Sequence, residues 1–330
     1  MPLIDDYIRY IATVRRYSVR TQAVYRDALE RFAAFASAQG RDASLLEALT
    51  PRMIRGYEVQ LLDGESLGAR TVNLHLSVLS GFCRYLLREG KLSANPVGRV
   101  ARPKQEKRLP LFYREDAMRG YLAETAADAG EDTLSILQSY GPRKDWNATA
   151  GALYRRRLHR CLLNTLYCTG IRRAELLSLR VGSVDFGRRV LSVHGKGDKM
   201  REIPLVPSIC QELSLYLRAV ESMEGGRRSA DAPLFVTEKG RALYPVYVDR
   251  VVKDEFQDAR GFTGRKSPHV LRHTLATELL DGGTDLNSIK EMLGHASLAA
   301  TQVYTHSSVE RLKKVYVNAH PRAKSGGKDD

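Results

Sequence analysis

The stretch "ANPVGRVARPKQEKRLPLF" (94–112) constrains this chain more than any other. Proline fixes its own φ and lacks a backbone donor, so Pro96, Pro103 and Pro110 rule out a continuous helix or a central strand. Between them stand several unpaired basic residues, which read as an extended linker rather than a packed element. The domain boundary is expected near residue 105. A chain of 330 residues is long enough to bury a core on each side of it. The expected layout is a first domain over 1–100, a linker over 101–111, a second domain over 112–320, and a disordered tail over 321–330.

Before the linker the text is helical. "SVRTQAVYRDALERFAAFASAQG" spaces Val24, Ala28, Phe32 and Phe35 along one face, with Ser18 or Thr21 as cap and Gly40 as stop. "TPRMIRGYEVQLL" opens on a Thr cap followed by Pro. "GARTVNLHLSVLSGFCRYLLREG" places Val72, Leu76, Leu79, Phe82 and Leu86 on one face and Arg70, Asn73, Ser77 and Arg84 on the other. After the linker, 124–150 has weak periodicity and several breakers and reads as a loop-rich insertion. A long helix then runs from Tyr154 to Gly170. "RRVLSVHGKGDKMREIPL" alternates on both sides of a glycine-bearing turn, the pattern of a β-hairpin. The fold class is therefore mainly α with a small β-sheet.

The charge balance narrows the partner. Lys and Arg number 52 against 38 Asp and Glu, a formal net charge of +14. Such an excess favours a polyanion, with nucleic acid ahead of an anionic membrane. Cys83, Cys161, Cys168 and Cys210 form no CxxC pair and sit mostly in apolar helical text, as small hydrophobes of a reducing compartment do. The first residues carry acids and lack an apolar core, and no apolar run approaches membrane-spanning length. A soluble cytoplasmic protein without a membrane partner is expected.

"HVLRH" (269–273) sets two histidines four apart, the spacing with which metallopeptidases hold zinc. Val270 stands where such a site has its general-base Glu, and neither Glu278 nor Glu291 is a motivated third ligand. Arg272 would put a fixed positive charge beside the metal. The neighbourhood points elsewhere. Ser267 and Pro268 open a helix, so His269 and Arg272 share a face near its N-terminus, where anions bind well. Leu271, Leu275 and Leu279 form its buried stripe. Farther on come His295, after Gly294, and then Tyr304. Arginine grips phosphate oxygens in pairs of bonds, histidine moves protons, and tyrosine can act as nucleophile.

Four stretches in this order resemble the tyrosine recombinases of the integrase family, the Xer subgroup in particular. "TGIRRAEL" (169–176) looks like the first arginine box and gives Arg172. "HGKGDKMREIPL" (194–205) looks like the hairpin lysine box and gives Lys196, with Lys199 as competitor. "SPHVLRHTLAT" matches the His-x-x-Arg box with His269 and Arg272. "MLGHASLAATQVYTH" matches the last box with His295 and the nucleophile Tyr304. The helical first part resembles the SAM-like core-binding domain, and the second the α+β catalytic domain. The resemblance runs from about residue 3 to 323. The length of 124–150 departs from compact Xer proteins.

The resemblance implies metal-free transesterification without a cofactor, through a 3′-phosphotyrosyl link and a Holliday junction. Arg172 and Arg272 would clamp the scissile phosphate, and His269 would take the Tyr304 proton or hold the phosphate. His295 would donate to a nonbridging oxygen, and Lys196 would protonate the departing 5′ oxygen. Glu175 would orient the site from behind Arg172, and His273 would coordinate nothing. It implies duplex DNA held in a clamp of two domains, with contacts from Arg70, Asn73, His75, Arg102 and Lys104. It also implies a homo- or hetero-tetramer on two sites with exchanged C-terminal helices, and an FtsK-type translocase as partner. Chromosome dimer resolution is the expected task. An integrase of a mobile element or phage is the alternative within the class, favoured less because no separate arm-binding domain precedes the first helix. A catalytically silent DNA-binding protein is the alternative outside it, a type IB topoisomerase-like relaxase a third, and the zinc peptidase the remaining one.

Overall fold

In a computed structural model of the chain, residues 2–39, 44–104, 112–195 and 199–294 are described. The chain divides into two compact units, Met1–Arg108 and Leu109–Asp330.

The first unit is helical: α1 (Pro2–Thr13), α2 (Val19–Ala38), α3 (Leu45–Ala48), α4 (Pro51–Val59), running on into a π-turn over Gln60–Gly64, and α5 (Ala69–Arg88). Its helix starts follow from local chemistry. The Ser18 hydroxyl accepts from the Thr21 N–H, and the Thr50 hydroxyl accepts from the Met53 N–H ahead of Pro51. Val72, Leu76, Leu79, Phe82 and Leu86 of α5 are all fully buried, packed with Phe32 of α2 and Ile4 of α1. Val24 departs from its expected place and stays 37% exposed. Gly40 lies outside the described residues.

The proline-rich stretch needs correction at its start. Pro96–Arg99 forms a 3-10 turn capped by Asn95, whose side chain accepts from the Val97 N–H. Val97 and Val100 are buried in the first core. Two apolar side chains outweigh the breakers, so the extended chain begins only after Val100.

The second unit is built around α9 (Ala148–Thr169), whose C-terminal half is buried almost all round. Before it come α6 (Glu115–Glu124), α7 (Ala126–Ala129) and α8 (Glu131–Ser139). After it come α10 (Arg173–Ser178), the strands β1 (Val184–Asp185), β2 (Val190–His194) and β3 (Met200–Pro204), then α11 (Pro207–Glu224), α12 (Pro245–Gln257), α13 (Pro268–Asp281) and α14 (Leu286–Leu293). The strands form an antiparallel meander in the order β1-β2-β3, with Val193 opposite Arg201. The stretch 124–150 is thus largely helical, not loop-rich. Its helices are too short to show a period, and buried arginines of α9 fasten them. Arg157 donates to the carbonyls of Ala129 and Gly130, and Arg160 to the Leu122 carbonyl at 2.6 Å.

Candidate active site

Three arginines from distant parts of the second unit converge on one helix end, and two of them share one carboxylate. Arg172 immediately precedes α10. Its main-chain N–H donates to Glu175 Oε2 at 2.8 Å and its guanidinium to Oε1 at 2.7 Å. Arg201 of β3 reaches the same carboxylate with both ends of its fork, at 3.1 and 2.8 Å. Burial alone would raise the Glu175 carboxyl. The Arg201 fork, then the Arg172 N–H and guanidinium, overcome it and hold the group below its usual range.

The helix end is that of α14. Its last carbonyls are taken in succession: Met292 by Arg201 Nε at 2.9 Å, Leu293 by Arg272 at 2.6 Å, and Gly294 by Arg172 at 2.7 Å. Cations suit this negative end of the helix dipole. Arg272, on α13, also donates to the Gly170 carbonyl at 2.6 Å. Gly170 ends α9 in the left-handed region at φ 59°, and a Cβ there would stand 2.6 Å from Leu293 Cδ2. Glycine therefore lets α9, α13 and α14 close on one point. Burial, then the neighbouring charges of Arg172 and Arg201, pulls the Arg272 guanidinium down to about 10. One carboxylate against three guanidinium groups leaves the cluster short of negative charge.

His269 sits one turn before Arg272 on α13 and is exposed. Partial desolvation first, then the cations Arg272, Arg173 and Arg265 and the ring of His273, push its imidazole below the ordinary histidine range. That favours the neutral imidazole, the form able to accept a proton. Ser267 precedes α13 as expected, but its side chain makes no cap hydrogen bond. His273 is exposed, and the Glu278 carboxyl turns instead to the Tyr167 hydroxyl at 2.8 Å. Among the described residues no three His, Cys, Asp or Glu side chains gather as a metal-ligand set.

The structure thus brings Arg172, Glu175 and Arg272 together and sets His269 on the same helix as Arg272. Lys196, His295 and Tyr304 lie outside the described residues, as do the C-terminal segment and the tail. Lys199, exposed, has its carbonyl bonded to the Gly195 N–H at the base of the hairpin turn. Sequence reasoning missed Arg201. Its signal was there: in "MREIP" it shares the inward phase of the strand with Ile203, where an apolar residue is expected.

In the first unit Arg70, Asn73, Ser77 and Arg102 line one shallow depression with Leu74 and Pro103. Arg102 donates to the Ser77 hydroxyl at 2.9 Å, and Asn73 to the Pro103 carbonyl at 2.9 Å, so the chain after Val100 lies along α5. Lys104 is exposed. His75 corrects the expectation. It is 5% exposed, with Nδ1 2.8 Å from the Tyr57 hydroxyl, and faces the core rather than solvent. A DNA base cannot reach it there.

Residues 4–90 match the phage integrase N-terminal SAM-like domain, and residues 153–311 match the phage integrase family. The tyrosine recombinase XerC of Pelobacter propionicus is 36% identical over 325 residues, 98% of this chain and 97% of that protein. XerC of Bacillus subtilis is 32% identical over 324 residues, 96% and 95% of the two chains. In fold the chain is similar to the XerH site-specific recombinase bound to palindromic difH substrate in a post-cleavage complex. The TM-score is 0.63 at 20% identity, over 94% of this chain and 80% of that one. It is similar also to the Tn1549 transposon integrase in complex with transposon right end DNA. There the TM-score is 0.64 at 16% identity, over 95% and 98%. The chain belongs to the phage integrase family of tyrosine recombinases. No helix among the described residues is long and apolar enough to cross a membrane.

Proposed function

We propose that this protein is a site-specific DNA recombinase that cuts and rejoins duplex DNA through a 3′-phosphotyrosyl link, with chromosome dimer resolution as its task. The observation that carries this reading is the convergence of Arg172 and Arg272 on successive carbonyls at the end of α14, the residue before His295. A phosphodiester is a monoanion and its pentavalent transition state a dianion. The cluster's excess of two positive charges, three guanidinium groups less the one carboxylate of Glu175, fits the latter. Each guanidinium carries five N–H donors, and those of Arg172 and Arg272 not engaged with Glu175 or a carbonyl meet the charged phosphate oxygens.

The chemistry then balances as two exchanges. The Tyr304 oxygen attacks phosphorus, its proton passes to neutral His269, and the 5′ oxygen leaves with a proton from Lys196. A 5′ hydroxyl of the partner strand later attacks the phosphotyrosyl link and frees Tyr304, so the number of phosphodiester bonds is conserved. His295 donates to a nonbridging oxygen. Arg70, Asn73, Arg102 and Lys104 hold the backbone or base edges of the site. The reading takes the enzyme as one of four protomers on two DNA sites in the cytoplasm, tied by exchanged C-terminal helices and open to an FtsK-type translocase. The XerC names of its relatives support that role.

The test is a nicked suicide duplex bearing a candidate site, incubated with EDTA and resolved on a denaturing protein gel. A covalent protein–DNA band from wild type, absent from Tyr304→Phe, is expected. Specific binding without a covalent band would make the protein a silent DNA binder instead.

A further inference from the structure

Arg201 is an odd residue for its position. It lies on β3 opposite Val193, in phase with Ile203, and its side chain is 6% exposed. Replacing a buried ion pair by apolar residues of like volume is often neutral or stabilising, so fold stability does not by itself account for an arginine here. Its bonds suggest another role. The fork reads both Glu175 oxygens, and Nε holds the Met292 carbonyl. Lysine, a single point charge, cannot make those three bonds in one plane.

Each bond ends on a part of the candidate site. Glu175 holds the Arg172 guanidinium and main chain. Met292 opens the carbonyl series that Arg272 and Arg172 continue, directly before His295. The turn at Gly294 closes on Arg201 itself. At φ 66° it adopts the left-handed region, and a Cβ there would lie 3.1–3.3 Å from the guanidinium. Arg201 also belongs to β3, the strand that follows Lys196 in the chain.

Resting on the recombinase reading above, we propose that Arg201 is a positioning residue for strand cleavage. It locks the carboxylate that aims Arg172 and pins the end of α14, so that β3, Arg172 and Arg272 keep one register. It touches no DNA itself. A displacement of about 1 Å in such a constellation costs on the order of 100-fold in rate.

The experiment compares wild type, Arg201→Lys and Arg201→Met on the suicide duplex, reading the single-turnover cleavage rate at saturating DNA, the DNA affinity and the melting temperature. Both variants are expected to bind DNA as wild type does and to cleave about 100-fold more slowly, the lysine failing to rescue. Combining Arg201→Met with Glu175→Gln should slow cleavage by less than the product of the two single losses, because the two variants share the Glu175 contact while the Met292 bond is lost only with Arg201. Should Arg201→Met not fold, Arg201→Lys alone and with Glu175→Gln makes the same comparison. A wild-type rate in Arg201→Lys, or independent additive losses in the double variant, overturns the proposal. A wild-type protein that forms no covalent band overturns the recombinase reading first and this one with it.

Discussion

Arginine is held in opposite ways in the two units. Around Glu175 the guanidinium groups are built into the fold. Arg201 and Arg272 are buried, and Arg172 is fixed by the carboxylate on one side and the Gly294 carbonyl on the other. In the first unit Arg70 of α5 and Arg102 of the chain after Val100 are exposed, and Arg102 rests against a serine hydroxyl. Immobilised charge is suited to a transition state, whose oxygens must be met without reorganisation. Loose charge is suited to a DNA backbone, where affinity comes from neutralising phosphates and releasing counterions. The contrast teaches that one residue type can serve rate in one unit and affinity in the other. The division is open to direct attack.

The largest effect should come from Arg172→Ala. Loss of one preorganised donor is expected to slow cleavage by about 100- to 1000-fold at saturating DNA. Affinity should stay near wild type, since most of it resides in other phosphate contacts. A variant that cleaves normally once DNA is saturating would break the comparison, making Arg172 one more backbone contact. Arg70→Ala and Arg102→Ala should do the reverse. Each is expected to weaken binding several-fold and lower the slope of log affinity against log salt by about one, with the saturated rate unchanged. Titrations at several salt concentrations separate the two behaviours.

Much of this was legible in the sequence, for stated reasons. The α5 and α13 stripes follow from a period of 3.6, and the hairpin from alternation around glycines. The arginine, histidine and tyrosine boxes stand out because each carries several residues at fixed spacing. Arg201 did not, because its meaning lies in Glu175 and Met292, 26 and 91 residues away in the chain. His75 was misread although its spacing spoke for the core: it falls between Val72 and Leu79 on the buried stripe, and its polar atom is satisfied by Tyr57. Pro96–Val100 was misread because proline signals a break in secondary structure, not a lack of packing. In 124–150 the helices are shorter than the window that reveals a period.

The smallest effect tests how the fixed charges act on their one titrating neighbour. A proton acceptor works only while neutral, so cleavage should fall as pH drops through the His269 pKa. Burial and the surrounding cations hold that pKa below 6.5, which places the fall on the acid side of an ordinary histidine. Arg173 is one of those cations and is itself paired with Asp249. Arg173→Gln removes one positive charge and leaves the Asp249 carboxylate less compensated, and both changes favour the protonated ring. The acid limb of the rate profile should therefore move to higher pH, with the plateau unchanged. A limb that stays in place would mean that His269 holds phosphate without taking the proton. A rate that rises toward low pH would give His269 the role of donor, and the acceptor would then have to be sought elsewhere.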